Sequence, residues 1–149
     1  MNAFSRTLRP THRGFTLLEL LVVLVIIGLL AGLVGPRLFG KADAAKVQTA
    51  QTQVKMLKGA LETMRLDTNR FPTEAEGLAS LNDRPKDDNT APRWNGPYLN
   101  DALPLDPWGR PYQYSLPGAN GQPTAIYSFG ADGKRGGEGN DGDVGILPP

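Results

Sequence analysis

Two groups of residues in this chain have the types and spacing to do chemistry. The first is Gly130-Ala131-Asp132-Gly133-Lys134-Arg135-Gly136-Gly137-Glu138-Gly139-Asn140-Asp141-Gly142-Asp143, where acids are strung on a glycine-rich backbone. Such a backbone folds tightly and can turn its carbonyls inward beside the carboxylates. The chain has no cysteine, and its single histidine is His12, so the donors are hard oxygens that favour calcium over zinc or copper. An EF-hand is excluded, because position 134 is Lys and no Glu stands at the twelfth loop position. Gly136 to Asp141 matches the start of a calcium-binding β-roll repeat, but Asp143 falls where that repeat wants an aliphatic residue, and a roll needs several copies. On composition alone the other reading of this loop is a solvated, flexible tail.

The second group is Gly14-Phe15-Thr16-Leu17-Leu18-Glu19, at the head of an apolar run that reaches Val34. A carboxylate inside a membrane helix costs roughly 2.5–3.5 kcal/mol on insertion scales, so Glu19 must lie near an interface or meet a partner. The run is about 20 residues, enough to cross the hydrocarbon core. Arg6, Arg9, His12 and Arg13 precede it with no acid among them, which keeps that end cytoplasmic and places everything after Val34 outside. A secretory signal would be cut beyond its apolar core. Here the best cleavage point, Gly14-Phe15, comes before it. Cutting there removes a basic leader of residues 1–14 and leaves the membrane helix as the new N-terminus. The freed amine of Phe15 would then stand one helical turn from Glu19, in the same chain or in a neighbour whose axial register the pair would fix. An ordinary anchor with one snorkelling Glu would explain neither the glycine nor the phenylalanine.

These residues resemble the N-terminal signature of the type IV pilin superfamily. The resemblance implies a prepilin peptidase that cuts after Gly14 and N-methylates Phe15, and an assembly role for Glu19 at the fifth mature position. Pro36 fits the same pattern, since the family has a proline where the helix can loosen inside the filament.

Several elements must position these groups. Residues 15–35 form the membrane and assembly helix. Gly28 and Gly32 fit a GxxxG spacing that allows close helix approach or arises by chance. Gly35-Pro36 predicts a kink or melted turn, since proline lacks a donor and clashes with the preceding turn. Over 36–67 the apolar residues Leu38, Ala42, Ala45, Ala50, Val54, Leu57, Leu61 and Met64 recur mostly at three or four, an amphipathic helix burying one stripe. Val47 and Met56 fall off that stripe. One continuous helix from Phe15 to Leu66 would be roughly 78 Å long; the alternative is two helices joined at Gly35-Pro36.

Residues 68–149 form a small extracytoplasmic domain. Thr73-Glu74-Ala75-Glu76 after Pro72 is a capping box that predicts a short helix to about Asn82. Asp83 to Pro97 reads as loop. Asp106-Pro107-Trp108-Gly109 is a turn signal leading into a strand over 110–116, and Gly118-Ala119-Asn120-Gly121 returns the chain into a strand over 124–129. Trp94, Tyr98, Trp108, Tyr112, Tyr114 and Phe129 are expected in the core or packed on the long helix. The fold class is therefore α+β: a long N-terminal helix packed on a short helix, an antiparallel hairpin or sheet, and a calcium loop. A domain this small without disulfides needs another staple, and metal is the natural one.

Phe71-Pro72-Thr73, Glu76-Gly77-Leu78, Gly96-Pro97-Tyr98-Leu99, Asp106-Pro107-Trp108-Gly109 and Phe129-Gly130-Ala131-Asp132-Gly133 together resemble the major pseudopilin family of type II secretion systems. That resemblance implies one calcium ion in the C-terminal loop, with Asp132, Asp141, Asp143 and the Phe129 carbonyl as ligands. Gly142 stands where the family commonly has Ala, and Phe129 where it commonly has Leu. It further implies a subunit that waits in the inner membrane with its globular domain in the periplasm. On the same resemblance the subunit polymerises with copies of itself into a helical filament that drives folded proteins across the outer membrane, with minor pseudopilins and the inner-membrane assembly platform as partners.

The alternative is a fibre-forming type IV pilin for adhesion, motility or DNA uptake, although many of those close a C-terminal loop with two cysteines. An enzyme is not expected, because beyond the leader there is no Cys or His and the acids lie in a glycine loop rather than an apolar cleft. Nucleic acid is not an expected partner either. Removal of the three leader arginines leaves 13 Lys and Arg against 15 acids.

Overall fold

The computed structural model describes residues 14–149, with the side chains of 35–39 outside the description. The leader up to Arg13 therefore lies outside the described residues, as do the side chains of Pro36 and Leu38. A break in contacts between residues 39 and 40 divides the chain into two units. One helix, α1 (Leu17–Thr68), contributes to both. Its assignment runs unbroken through Gly35-Pro36, so the turn that the sequence predicted to kink or melt keeps helical backbone.

The first unit is the apolar part of α1. Leu17–Val34 is long and apolar enough to cross a membrane, and 0% of it is buried within the chain. Among the described residues these eighteen have no partner in their own chain, and a bare apolar surface of this size is of the kind that a lipid or protein partner covers.

In the second unit the amphipathic stripe is real but shorter than the sequence suggested. Ala50, Val54, Leu57, Leu61 and Met64 are buried, joined by Ala60, whereas Ala42 and Ala45 are exposed. Leu57, Leu61 and Met64 are fully buried, each contributing roughly 1.5–3 kcal/mol. Off the stripe, Val47 is half-buried and Met56 exposed. The helix ends at Thr68, whose hydroxyl donates to the Met64 carbonyl at 2.8 Å, and Asn69 turns the chain away at φ +61°.

The capping box is present: Thr73 N donates to Glu76 Oε2 at 2.7 Å, and Glu76 N to Thr73 Oγ1 at 3.3 Å. It opens only a five-residue 3₁₀ turn, Gly77–Leu81, because Gly77 sits at φ +56°, off the α-helical path. Leu78 and Leu81 from this turn join the core cluster with Leu99, Tyr112 and Ile126. The loop after it carries one further 3₁₀ turn, Ala91–Arg93. Arg70 ties that loop down, donating to both carboxylate oxygens of Glu76 at 2.7 Å, to Asp87 at 2.8 Å and to Thr90 at 2.7 Å.

The sheet has three antiparallel strands in the order β1 (Gln113–Ser115), β2 (Ala125–Ser128), β3 (Val144–Ile146). Both expected strands exist in shortened form, joined through a 3₁₀ turn at Ala119–Gly121. The third strand was not anticipated. It pairs Val144 with Ser128 and Ile146 with Ile126, so β2 is central rather than half of a hairpin. Of the expected core aromatics, Tyr112 is buried, and Trp94, Tyr98 and Tyr114 pack against the cluster. Trp108 and Phe129 are half-buried and serve elsewhere. Tyr98 and Tyr112 bond α1 directly, through Asp67 at 2.8 Å and Gln53 at 2.6 Å. Burial pushes the Tyr112 hydroxyl up to about 12, which keeps it a donor across the working pH range.

Candidate functional site

At the head of α1, Glu19 is bonded to Thr16. Glu19 Oε2 accepts from the Thr16 backbone N–H at 2.8 Å and its hydroxyl at 2.9 Å, while Glu19 N donates to Thr16 Oγ1 at 3.2 Å. This is a reciprocal capping box, which satisfies two groups at the open end of a helix. The sequence held the signal, Thr-x-x-Glu, but the reading paired Glu19 only with the Phe15 amine. Gly14 and Phe15 immediately precede this cap and are exposed.

The second group occupies the connection between β2 and β3. The Asp132 carboxylate is exposed and accepts the Lys134 N–H at 2.9 Å. Asp143 Oδ2 accepts the Gly136 N–H at 2.9 Å, while its Oδ1 is buried with no hydrogen-bond partner. Asp141 is exposed at the end of a 3₁₀ turn, Gly139–Asp141, and Phe129 packs edge-on against Tyr127 at 5.2 Å. Among the described residues no three acids are gathered closely enough to form a metal cluster by themselves. Asp132, Asp141 and Asp143 thus share one loop without converging as three carboxylates.

The donor set nevertheless suits a hard cation. A buried carboxylate oxygen without a partner costs free energy that a cation would recover. Asp143 lines an open depression of about 520 Å³ with Gly136, Gly137, Glu138 and the α1 residues Val47 and Gln51. The backbone carbonyls crowd where only glycine fits: a Cβ on Gly130, at φ +66°, would meet the Gly142 carbonyl oxygen at 2.6 Å and that of Asn140 at 2.9 Å. Carboxylate and carbonyl oxygens on a glycine framework are the ligand type that calcium takes.

The sequence marks Asp106-Pro107-Trp108-Gly109 as a turn and a family motif, with no role assigned to the Asp106 carboxylate. In the structure Asp106 is 4% exposed and organises this end of the domain. Its Oδ1 accepts from the backbone N–H groups of Trp108 at 3.0 Å and Arg110 at 2.8 Å, and its Oδ2 accepts from the Ser128 hydroxyl. Ser128 Oγ in turn accepts the Gly130 N–H at 3.2 Å. An Asp ahead of a Pro-x-Gly turn was the only sequence signal available for this.

A membrane-length helix opening on a capped Glu19, and a three-stranded domain folded on its second part, define a pilin-like subunit. Residues 9–35 match the prokaryotic N-terminal methylation motif, and residues 37–147 match the type II secretion system protein G model. The chain is 44% identical over 137 residues to the type II secretion system core protein G of Pseudomonas aeruginosa, covering 92% of this chain and 96% of that one. It is 42% identical to the Vibrio cholerae core protein G, with 89% of each covered. The crystal structure of the major pseudopilin from the type 2 secretion system of enterohaemorrhagic Escherichia coli superposes with a TM-score of 0.59 at 36% identity, covering 74% of this chain and 93% of that one. The chain belongs to the type II secretion system protein G family.

Proposed function

We propose that this chain is the major subunit of a type II secretion pseudopilus, a filament that drives folded proteins across the outer membrane. The observation that carries the reading is the unburied apolar segment Leu17–Val34 headed by the Gly14-Phe15 junction and Glu19, on a chain that matches protein G along most of its length. A subunit whose longest apolar surface has no partner in its own chain is built to be covered by copies of itself, through heterologous contacts that propagate rather than close. Before assembly that surface rests in the inner membrane, N-terminus inward, with residues 40–149 in the periplasm.

A prepilin peptidase removes the leader at Gly14 and methylates Phe15. Glu19, released from Thr16, meets the amine of a neighbouring subunit and sets the register. Pro36 supplies a point where the helix can loosen within the filament. Minor pseudopilins and the membrane assembly platform complete the machine. The role is structural rather than catalytic. Calcium belongs in the β2–β3 loop, held by Asp132, Asp143, Asp141 and the Phe129 carbonyl, where it would neutralise the carboxylates. Asp132→Ala is expected to lower the melting temperature in calcium buffer.

Deletion of the gene in its host tests the assignment. Exported enzymes should accumulate in the periplasm while surface pili and twitching persist. Normal export with lost pili or motility would instead make this a fibre-forming pilin.

A further inference from the structure

Arg110 has a position that neither turn formation nor core packing explains. Its Nη1 donates to the Gly130 carbonyl at 2.6 Å and its Nη2 to the Ala131 carbonyl at 2.9 Å. The guanidinium also lies against Gly133, where an added Cβ would come within 2.9 Å of its Cζ. Asp132 therefore sits between Gly130-Ala131, whose carbonyls the guanidinium bonds, and Gly133, against which the same planar group lies. At the far end of the loop Trp108 Nε1 donates to Asn140 Oδ1 at 3.1 Å, and Ala131 N donates to the Asn140 carbonyl at 2.9 Å. The turn carrying Arg110 and Trp108 is itself fixed by the buried Asp106 through backbone N–H groups and Ser128.

We infer that Arg110, with Trp108 as its counterpart at the other end, is a positioning residue for the metal loop: it fixes the Gly130–Gly133 backbone so that Asp132 is presented before any cation arrives. This rests on the proposed calcium site and goes beyond it. Three points argue for positioning. A cationic group beside a cation site is electrostatically unfavourable, so its presence there calls for a geometric reason. The guanidinium's fixed fork can hold two adjacent carbonyls at once, which a lysine ammonium at the end of a flexible stem cannot do with the same rigidity. Carbonyls that already accept from a guanidinium are poor cation ligands, so the fork also leaves the ligand role to Asp132 and to carbonyls outside its grip. Ordering a loop beforehand removes that entropy from the binding step.

The test is a calcium titration by isothermal calorimetry on the full processed chain in detergent micelles, for wild type, Arg110→Lys and Arg110→Met. Melting temperatures in chelator are measured alongside. Because Asp106 holds the backbone N–H of residue 110, these substitutions leave the turn's own bonds in place. Partners of this kind typically alter metal affinity by about 10–100-fold. Arg110→Lys is expected to weaken calcium binding at least about tenfold, and at least as much as Arg110→Met, since Lys loses the fork but keeps the repelling charge. A bystander cation predicts the reverse: unchanged affinity for Lys and tighter binding for Met. That result overturns the inference.

Hydrogen exchange at Gly130–Gly133 in chelator gives a second readout, with faster exchange expected in both variants. Should the Arg110 variants not fold, Trp108→Phe tests the same grip from the other end, and unchanged calcium affinity there sinks the idea. Wild type that binds no calcium at millimolar concentration removes the calcium site, and this inference with it.

Discussion

Glu19 Oε2 accepts both hydrogen bonds that Thr16 gives it, so under the proposed assembly a neighbour's amine would compete with an intrachain cap rather than fill a void. The cap keeps the carboxylate hydrogen-bonded within its own chain. Thr16→Val removes the hydroxyl and keeps the backbone N–H, costing about 1 kcal/mol of cap. It is expected to reduce filament yield only partly, whereas Glu19→Leu should abolish sedimentable filaments. Both variants should still lose their leader by mass spectrometry. Filaments from Glu19→Leu at wild-type yield would remove the assembly role. A different carboxylate contributes acid-sensitive stability to the globular domain. The Arg70 guanidinium bonded to Glu76 holds its carboxyl down at about 2, against an ordinary 4.5. A depressed folded-state pKa contributes stability above about pH 4.5 that is lost as pH falls toward about 2. The advantage of wild type over Glu76→Gln, on the order of 1–2 kcal/mol for a partly exposed charged hydrogen bond, should be full at pH 6 and vanish near pH 2 in thermal melts. A constant gap across that range would mean the ion pair is not its source.

Along α1 the same residue type has opposite weight according to its face. Leu61 is fully buried, and Leu66, little more than one turn later, is 81% exposed. Leu61→Ala should cost about 2–5 kcal/mol in urea unfolding, and Leu66→Ala within about 0.5 kcal/mol of nothing; equal effects would place the core elsewhere. Such periodicity is what a sequence displays openly, which is why α1, its end near Asp67 and the paired strands around residues 118–121 were legible. The errors have physical causes. The stripe was extended to Ala42 and Ala45 because alanine fits a buried or an exposed face equally well. The short helix expected after Thr73 is present as a 3₁₀ helix over Gly77–Leu81, held from the α form because Gly77, whose φ no hydrophobic pattern encodes, takes a left-handed conformation. Gly77→Ala, with open space around its Cβ, should cost about 1 kcal/mol from backbone strain alone. β3 was missed because Val144-Gly145-Ile146 is too short to announce itself beside a long acidic loop. In the candidate site, the acids and glycines were visible as types. Their orientation was not, since the Asp106 and Arg110 bonds that set it come from residues 20 or more positions away.

For the whole molecule, the Gly130–Asp143 connection is also the only covalent route from the central strand β2 to the edge strand β3. Its state therefore decides whether about a third of the sheet is held in place. The chain has no disulfide to do this, and three residues of strand are a weak hold. A ligand bound only by the native state at 100 times its dissociation constant adds about 2.7 kcal/mol. In a domain of this size that corresponds to roughly 10 °C or more in melting temperature. Asp143 makes the prediction two-sided. Its Oδ1 is buried without a partner, so in chelator the carboxylate is a liability that Asp143→Asn relieves, while an amide can still accept the Gly136 N–H. Under the proposed calcium site, the same substitution would remove a charged ligand when calcium is present. Asp143→Asn is therefore expected to melt at or above wild type in chelator and well below it in millimolar calcium, with the two curves exchanging order as calcium is added. A variant that tracks wild type in both buffers would mean the loop holds β3 without metal. The hydrogen bonds of Arg110, Trp108 and Ser128 would then be the staple that the absent cysteines do not provide.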